Sequence, residues 1–151
     1  MTEVRRSVTV AATPDRAFEV FVAKFGDWWP LSTHHIGTAD AATAVIEPFE
    51  GGRWFERGVD GSECDWGAVL AYDPPARLLL SWHLDGGWSY DPDPSRASEV
   101  ELTFEPSGDT TVVTLVHRHF DRHATDGDRI AERVAAEGGW GDLLQRFAAV
   151  V

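Results

Sequence analysis

His117-Arg118-His119 comes nearest in this chain to a pattern that does chemistry. On an extended strand, residues 117 and 119 share a face with their Cα atoms about 6.5–7 Å apart. Two imidazoles at that reach can pinch one metal ion at roughly 2.0–2.1 Å from each ring nitrogen. Asp121 and His123 lie close enough in sequence to add ligands. Val113 and Leu115 share the face of His117, and the apolar pattern turns that face inward. A second role for His117 is therefore open: a polar group on an apolar wall, bonded either to a bound molecule or to a buried neighbour. One His-x-His pair at the end of a strand is a weak metal signal, and no metal ligand set is assigned.

The remaining polar residues offer less. Glu47, Glu56, Glu63 and Asp65 fall on strand segments, yet none makes a convincing acid/base pair. Glu56 shares a strand face with Trp54, so it is either an inward acid or a solvated one. Cys64 is the sole cysteine, which excludes an intrachain disulfide, and its neighbours Glu63 and Asp65 disfavour a thiolate. No Gly-x-Ser-x-Gly elbow, phosphate loop, dinucleotide fingerprint or His-Glu-x-x-His occurs. His34-His35, in a polar stretch after Trp28-Trp29-Pro30, is expected to face solvent.

The elements that must position these groups follow from periodicity. Residues 3–11 alternate as a half-buried strand carrying Val4, Val8 and Val10 on one face. Thr13-Pro14-Asp15 supplies an N-cap, a proline for the first helical turn and an acid for the dipole. Phe18, Phe21, Val22 and Phe25 then repeat at helical spacing, with Gly26 as the expected stop. Strand signals at 42–49, 53–59, 63–72, 77–84, 99–105 and 110–120 are separated by turn residues such as Asp60-Gly61 and Gly108-Asp109, which predicts an antiparallel meander. The C-terminus returns to helical spacing through Ile130, Val134 and Ala135. A break is expected near Gly138-Gly139, before Trp140, Leu143, Leu144 and Phe147 resume.

Composition bounds what such a domain does. With 151 residues, 43% of them hydrophobic and 25% charged, a single folded domain over 1–151 is expected. Thirteen basic against 25 acidic residues give a net charge of −12, and the cations do not cluster. Nucleic acid and membrane surfaces are therefore poor partners. No apolar run reaches the length of a membrane span, and the N-terminal segment does not read as a secretory signal, so a cytoplasmic location is expected. Seven tryptophans and eight phenylalanines are the unusual feature. At about 150–250 Å² each, most of these rings must be buried in a core, a cavity wall or an interface.

Several segments together resemble the activator-of-heat-shock-protein-90-ATPase homologue-like group of the START/Bet-v-1-like (SRPBCC) superfamily. They are Ala17-Phe18-Glu19-Val20-Phe21 with Trp28-Trp29-Pro30, Glu47-Pro48 with Gly51-Gly52-Arg53-Trp54, Trp66-Gly67-Ala68-Val69, and Asp73-Pro74-Pro75-Ala76-Arg77-Leu78 with Ser81-Trp82. Ser98-Glu99-Val100, Thr111 to His117 and Gly139-Trp140 with Leu143-Leu144 complete the match, which covers nearly the whole chain in order. The resemblance implies an α+β helix-grip fold: a curved antiparallel sheet wrapped around a long C-terminal helix with an internal cavity. In the superfamily that cavity often holds an apolar molecule.

The leading functional expectation is an apolar or aromatic small-molecule binder that needs no cofactor, acting as a monomer or homodimer. Trp28, Trp29, Trp54, Trp66, Leu80, Trp82, Leu102, Phe104, Leu115 and His117 are the candidate ligand contacts. One of the adjacent tryptophans 28 and 29 packs in the core while the other lines an entrance, or both are core. A cyclase/aromatase-like enzyme is the alternative, and it requires a titratable group inside the pocket, with His117 and Glu56 the ones to inspect. A chaperone-regulator-like interaction module ranks last.

Overall fold

In the computed structural model, which describes residues 3–124 and 126–151, seven antiparallel strands form one sheet in the order β1-β7-β6-β5-β4-β3-β2. The strands are β1 (Val4–Val10), β2 (Ala41–Ile46), β3 (Arg53–Gly58), β4 (Glu63–Asp73), β5 (Arg77–Trp82), β6 (Ser98–Ser107) and β7 (Thr110–Arg118). From β2 to β7 each strand pairs with its successor in sequence, and β1 closes beside β7. Register shifts interrupt β2/β3, β3/β4 and β4/β5. Irregularities of this kind tighten local twist, and all three fall between β2 and β5.

Alternation sorts the sheet into two faces. Leu78, Leu80 and Trp82 of β5, Val100, Leu102 and Phe104 of β6, and Val113, Leu115 and His117 of β7 are all buried on the concave side. The convex side carries charge. Glu101 accepts from Arg77 and Arg118, while Glu99 accepts from Arg122 and lies 3.6 Å from Arg118.

Helix α1 (Pro14–Ala23) begins as its residues dictate, with the Thr13 hydroxyl accepting from the Arg16 N–H at 3.2 Å. It buries Phe18 and Phe21 against Phe104 of the sheet. Gly26 is not the stop. The chain breaks two residues earlier, at Lys24, and Gly26 lies inside a second short helix, α2 (Phe25–Trp28). A Cβ there would run into the Thr43 hydroxyl and approach the Ala44 carbonyl, so this glycine permits α2 to lie directly on β2.

The C-terminal helix is divided into α3 (Gly127–Ala135) and α4 (Trp140–Val150). Gly138 between them takes φ +81, a conformation open to glycine at little cost. The buried stripe of α3 is Ile130, Ala131 and Val134, while Ala135 is exposed. Helix α4 places Trp140, Leu143, Leu144 and Phe147 inward, and Arg146 donates to the Trp28 carbonyl oxygen at 3.1 Å, tying α4 to α2. Among the described residues no helix is long and apolar enough to cross a membrane.

Candidate functional site: a tryptophan-walled cavity

Where the sheet, the 29–36 segment and the α3/α4 break meet, their side chains line a half-open cavity of about 400 Å³. Trp29, Trp66, Trp82 and Trp140 form its buried walls, with Leu84, Val134 and Leu143. The rings brace one another: Trp29 lies 5.2 Å from Trp66 and 6.0 Å from Trp140, and Trp82 lies 5.7 Å from Trp140. Trp88, Arg133 and Glu137 form an exposed rim.

Of the ten candidate contacts, Trp29, Trp66 and Trp82 line this cavity. Trp28, Trp54, Leu80, Leu102, Phe104, Leu115 and His117 lie elsewhere in the interior, each 2% exposed or less. The adjacent tryptophans divide as their geometry requires. Trp28 packs on Phe21 and Phe147, and Trp29 stacks on Phe25 while facing the cavity. Trp54 sits one layer behind the wall, 5.6 Å from Trp66 and 5.7 Å from Trp82.

His117 is held by buried neighbours. Its Nδ1 accepts from the Trp140 indole N–H at 3.0 Å, and its Nε2 lies 2.8 Å from the Ser98 hydroxyl. An indole N–H only donates, so Nδ1 carries the lone pair and the neutral ring has its proton on Nε2, directed at Ser98. His123 reaches the same hydroxyl from the other side at 2.8 Å. Complete burial, reinforced by His123, holds the His117 pKa well below the ordinary histidine value. His117 thus fixes Trp140, a cavity wall, from behind.

The metal pinch does not form. Strand β7 ends at Arg118, and His119 turns out in a left-handed conformation (φ +67), its ring 4.0 Å from Glu99. The shared-face spacing of 117 and 119 holds only while the strand continues. No group of three or more His, Cys, Asp and Glu able to hold a metal ion occurs among the described residues.

Glu56 resolves as an inward acid, 1% exposed. Its Oε1 accepts from the Ile36 N–H at 2.6 Å and the Trp66 indole N–H at 2.9 Å, and its Oε2 accepts from the Gly37 N–H at 3.1 Å. It anchors the 36–37 backbone and orients one wall ring, but does not itself face the cavity. Cys64 beside it has its pKa raised by burial and then by the Glu56 and Asp65 charges.

His34 and His35, expected in solvent, are half-buried and line the cavity. His34 Nε2–H donates to the Gly138 carbonyl oxygen at 2.7 Å, and Nδ1 lies 2.8 Å from the Thr33 hydroxyl. That bond bridges the 29–36 wall to the α3/α4 break. His35 Nδ1–H donates to the Gly37 carbonyl oxygen at 3.1 Å. Its Nε2 then carries the lone pair, with no hydrogen-bond partner among the described residues. Adjacent polar residues in a loop carry no periodic signal, so only the tertiary closure of residues 30–37 against Gly138 reveals them.

Comparison with known proteins agrees with this architecture. The solved anthrahydroquino-γ-pyrone synthase Txn09, determined complexed with SUM, is 40% identical over 100% of this chain and 97% of its own, with a TM-score of 0.69. The self-sacrificing resistance protein CalC from Micromonospora echinospora is 34% identical over 98% of this chain and 92% of its own, again with a TM-score of 0.69. The Aha1 dimer from Colwellia psychrerythraea shares the fold at 13% identity and a TM-score of 0.64, covering 99% of this chain and 96% of that one. No curated protein matches the chain. The model of the family described as Activator of Hsp90 ATPase homolog 1-like protein spans residues 11–151. A family match over that length, on a seven-stranded sheet closed by C-terminal helices, places the chain in the activator-of-Hsp90-ATPase-homologue-like group of the SRPBCC superfamily.

Proposed function

We propose that the protein binds a flat, largely apolar aromatic small molecule in the tryptophan-walled cavity. The observation that carries this reading is the wall itself: four braced indoles around about 400 Å³ of space. Rings present large, stiff apolar faces and lose little conformational entropy on contact, so they favour flat partners. A relative at 40% identity, a synthase named for an anthrahydroquino-γ-pyrone, supports small-molecule chemistry.

Filling the cavity tests the reading. Ala136 is an exposed residue on the cavity lining, so Ala136→Trp inserts an indole there without disturbing the core. Wild-type protein is expected to bind the neutral fluorophore N-phenyl-1-naphthylamine, and the variant to lose roughly tenfold or more in affinity by fluorescence titration. Equal affinity in the two proteins would place the fluorophore elsewhere and sink the reading.

A second reading is favoured by one observation, the unpartnered Nε2 of His35 on the cavity lining. A neutral imidazole with one nitrogen fixed by a backbone carbonyl and the other free is arranged as a general base. In a cyclase-like enzyme it would take a proton from a bound phenol or enol. Natively purified wild-type and His35→Phe proteins, denatured and analysed by mass spectrometry, should then release different compounds: product from the first, unreacted substrate from the second. The same compound from both proteins would leave binding alone.

A further inference from the structure

We propose that the rim of the cavity is an anion-recognising aromatic clamp, in which Trp88 stacks on the bound ring system and Arg133 binds an acidic substituent on it. This rests on the binding reading above and names the ligand class more narrowly: an aromatic carrying a carboxylate, sulfonate or ionised phenol.

Trp88 is held in place against steric cost. It adopts φ +62, the left-handed region that a bulky L-residue rarely enters. The loop around it enforces that conformation. Asp85 accepts from the Gly87 and Ser89 N–H groups through one carboxylate oxygen, its carbonyl accepts from the Trp88 N–H, and Leu84 bridges to Tyr90. The result is an indole 38% exposed, set at the cavity rim with its centroid 6.3 Å from that of Trp82. An exposed tryptophan fixed by a strained turn beside a cavity is placed to contact what enters it.

Arg133 of α3 lies over this ring, with its guanidinium carbon 5.7 Å from the ring centroid. Eight other arginines, among them Arg53, Arg77 and Arg118, are paired with carboxylates. Arg133 makes no ion pair and no side-chain hydrogen bond among the described residues, although Glu137 lies on the same rim. Stacking orients a guanidinium while leaving the N–H groups at its edge free, and that edge matches the geometry of a carboxylate or sulfonate. In a chain of net charge −12, a lone oriented cation beside an apolar cavity selects anionic ligands against the field of the whole protein.

A matched pair of probes isolates the charge. 8-Anilinonaphthalene-1-sulfonate carries an anionic group that N-phenyl-1-naphthylamine lacks, on the same ring framework. Arg133→Gln is expected to weaken sulfonate binding roughly tenfold while leaving the neutral probe within about twofold, since one charge-assisted contact is removed from an exposed site. Trp88→Ala should weaken both probes severalfold. Arg133 is exposed, so the substitution does not threaten folding. If both probes bind and Arg133→Gln leaves the ratio of their affinities unchanged, the anion clamp falls and the cavity reading stands. If Trp88→Ala changes neither affinity, the stacking role falls. If wild-type protein binds neither probe, the cavity reading falls and this inference with it.

Discussion

Replacing Glu56 by leucine should cost about 3–5 kcal/mol of folding stability and lower the unfolding temperature by roughly 10 °C. The carboxylate is 1% exposed and accepts three N–H bonds at 2.6, 2.9 and 3.1 Å. Leucine fills the same space but leaves the Ile36 and Gly37 backbone donors and the Trp66 indole without an acceptor. Each unmet buried donor forfeits about 1–3 kcal/mol, and water regaining access to the half-buried backbone groups recovers part of it. Glu56→Gln keeps one acceptor oxygen but turns an amide N–H₂ toward a donor, so its cost should be smaller, about 1–3 kcal/mol. Both variants loosen residues 36–37 and free the Trp66 ring, so affinity for N-phenyl-1-naphthylamine should fall alongside stability. Urea denaturation with both variants checks the first part and a fluorescence titration the second. A leucine variant within about 1 kcal/mol of wild type would show that Glu56 is replaceable packing and not the anchor of the wall.

Glu56 also marks where sequence stops being legible. Its strand, its partner strands and its face relative to Trp54 follow from two-residue alternation, but the choice between inward acid and solvated acid does not. That choice is made by residues 36 and 37, which are brought to it across 20 positions by a loop without periodicity. His34 and His35 fail for the same reason: nothing local indicates that Gly138, 104 positions away, closes over them. Strand and helix limits were readable to within a few residues because alternation, the Thr13 cap and turn pairs such as Asp60-Gly61 act locally. Gly26 shows the limit of local rules. Glycine there serves a close approach to β2, and a stop signal and a contact glycine look alike in a sequence. Among the tryptophans, strand position told which rings turn inward. It did not tell which inward ring meets space and which meets another ring, because that depends on where α3 breaks from α4. Trp140, on α4, and Trp88, in the turn after β5, lie on no strand and are therefore absent from the expected contacts, though both line the cavity.

Acid should unfold this protein through its buried histidines, beginning near neutrality and not in the carboxylate range. His117 is fully buried and its pKa is pushed well below 6.5 by desolvation, with His123 adding repulsion. The pKa of His123 is lowered as well, chiefly by burial and then by the nearby His83, while Asp85 and Asp91 oppose the shift. In the unfolded chain both rings take up a proton below about pH 6.5, whereas in the folded chain they resist it. The unfolded state therefore binds more protons in this window. The contribution is fully present above pH 6.5 and is lost as pH falls toward the folded-state values, at up to about 1.4 kcal/mol per pH unit for each histidine. Protonating His117 also removes the acceptor for the Trp140 indole N–H, so the cavity wall is released by the same event. His117→Asn offers an amide oxygen to Trp140 and has no ring to titrate. Between pH 7.5 and pH 5, wild type should lose roughly 1.5–2 kcal/mol more than this variant in parallel urea titrations, even though the variant is the less stable protein at pH 7.5. The variant starts lower because its shorter amide gives up the bond to the Ser98 hydroxyl, which keeps only its other partners, and leaves part of the imidazole's space unfilled. Parallel pH profiles for the two proteins would mean that His117 is not the group whose neutrality the fold requires. A difference confined to pH below about 4.5 would assign acid unfolding to carboxylates instead.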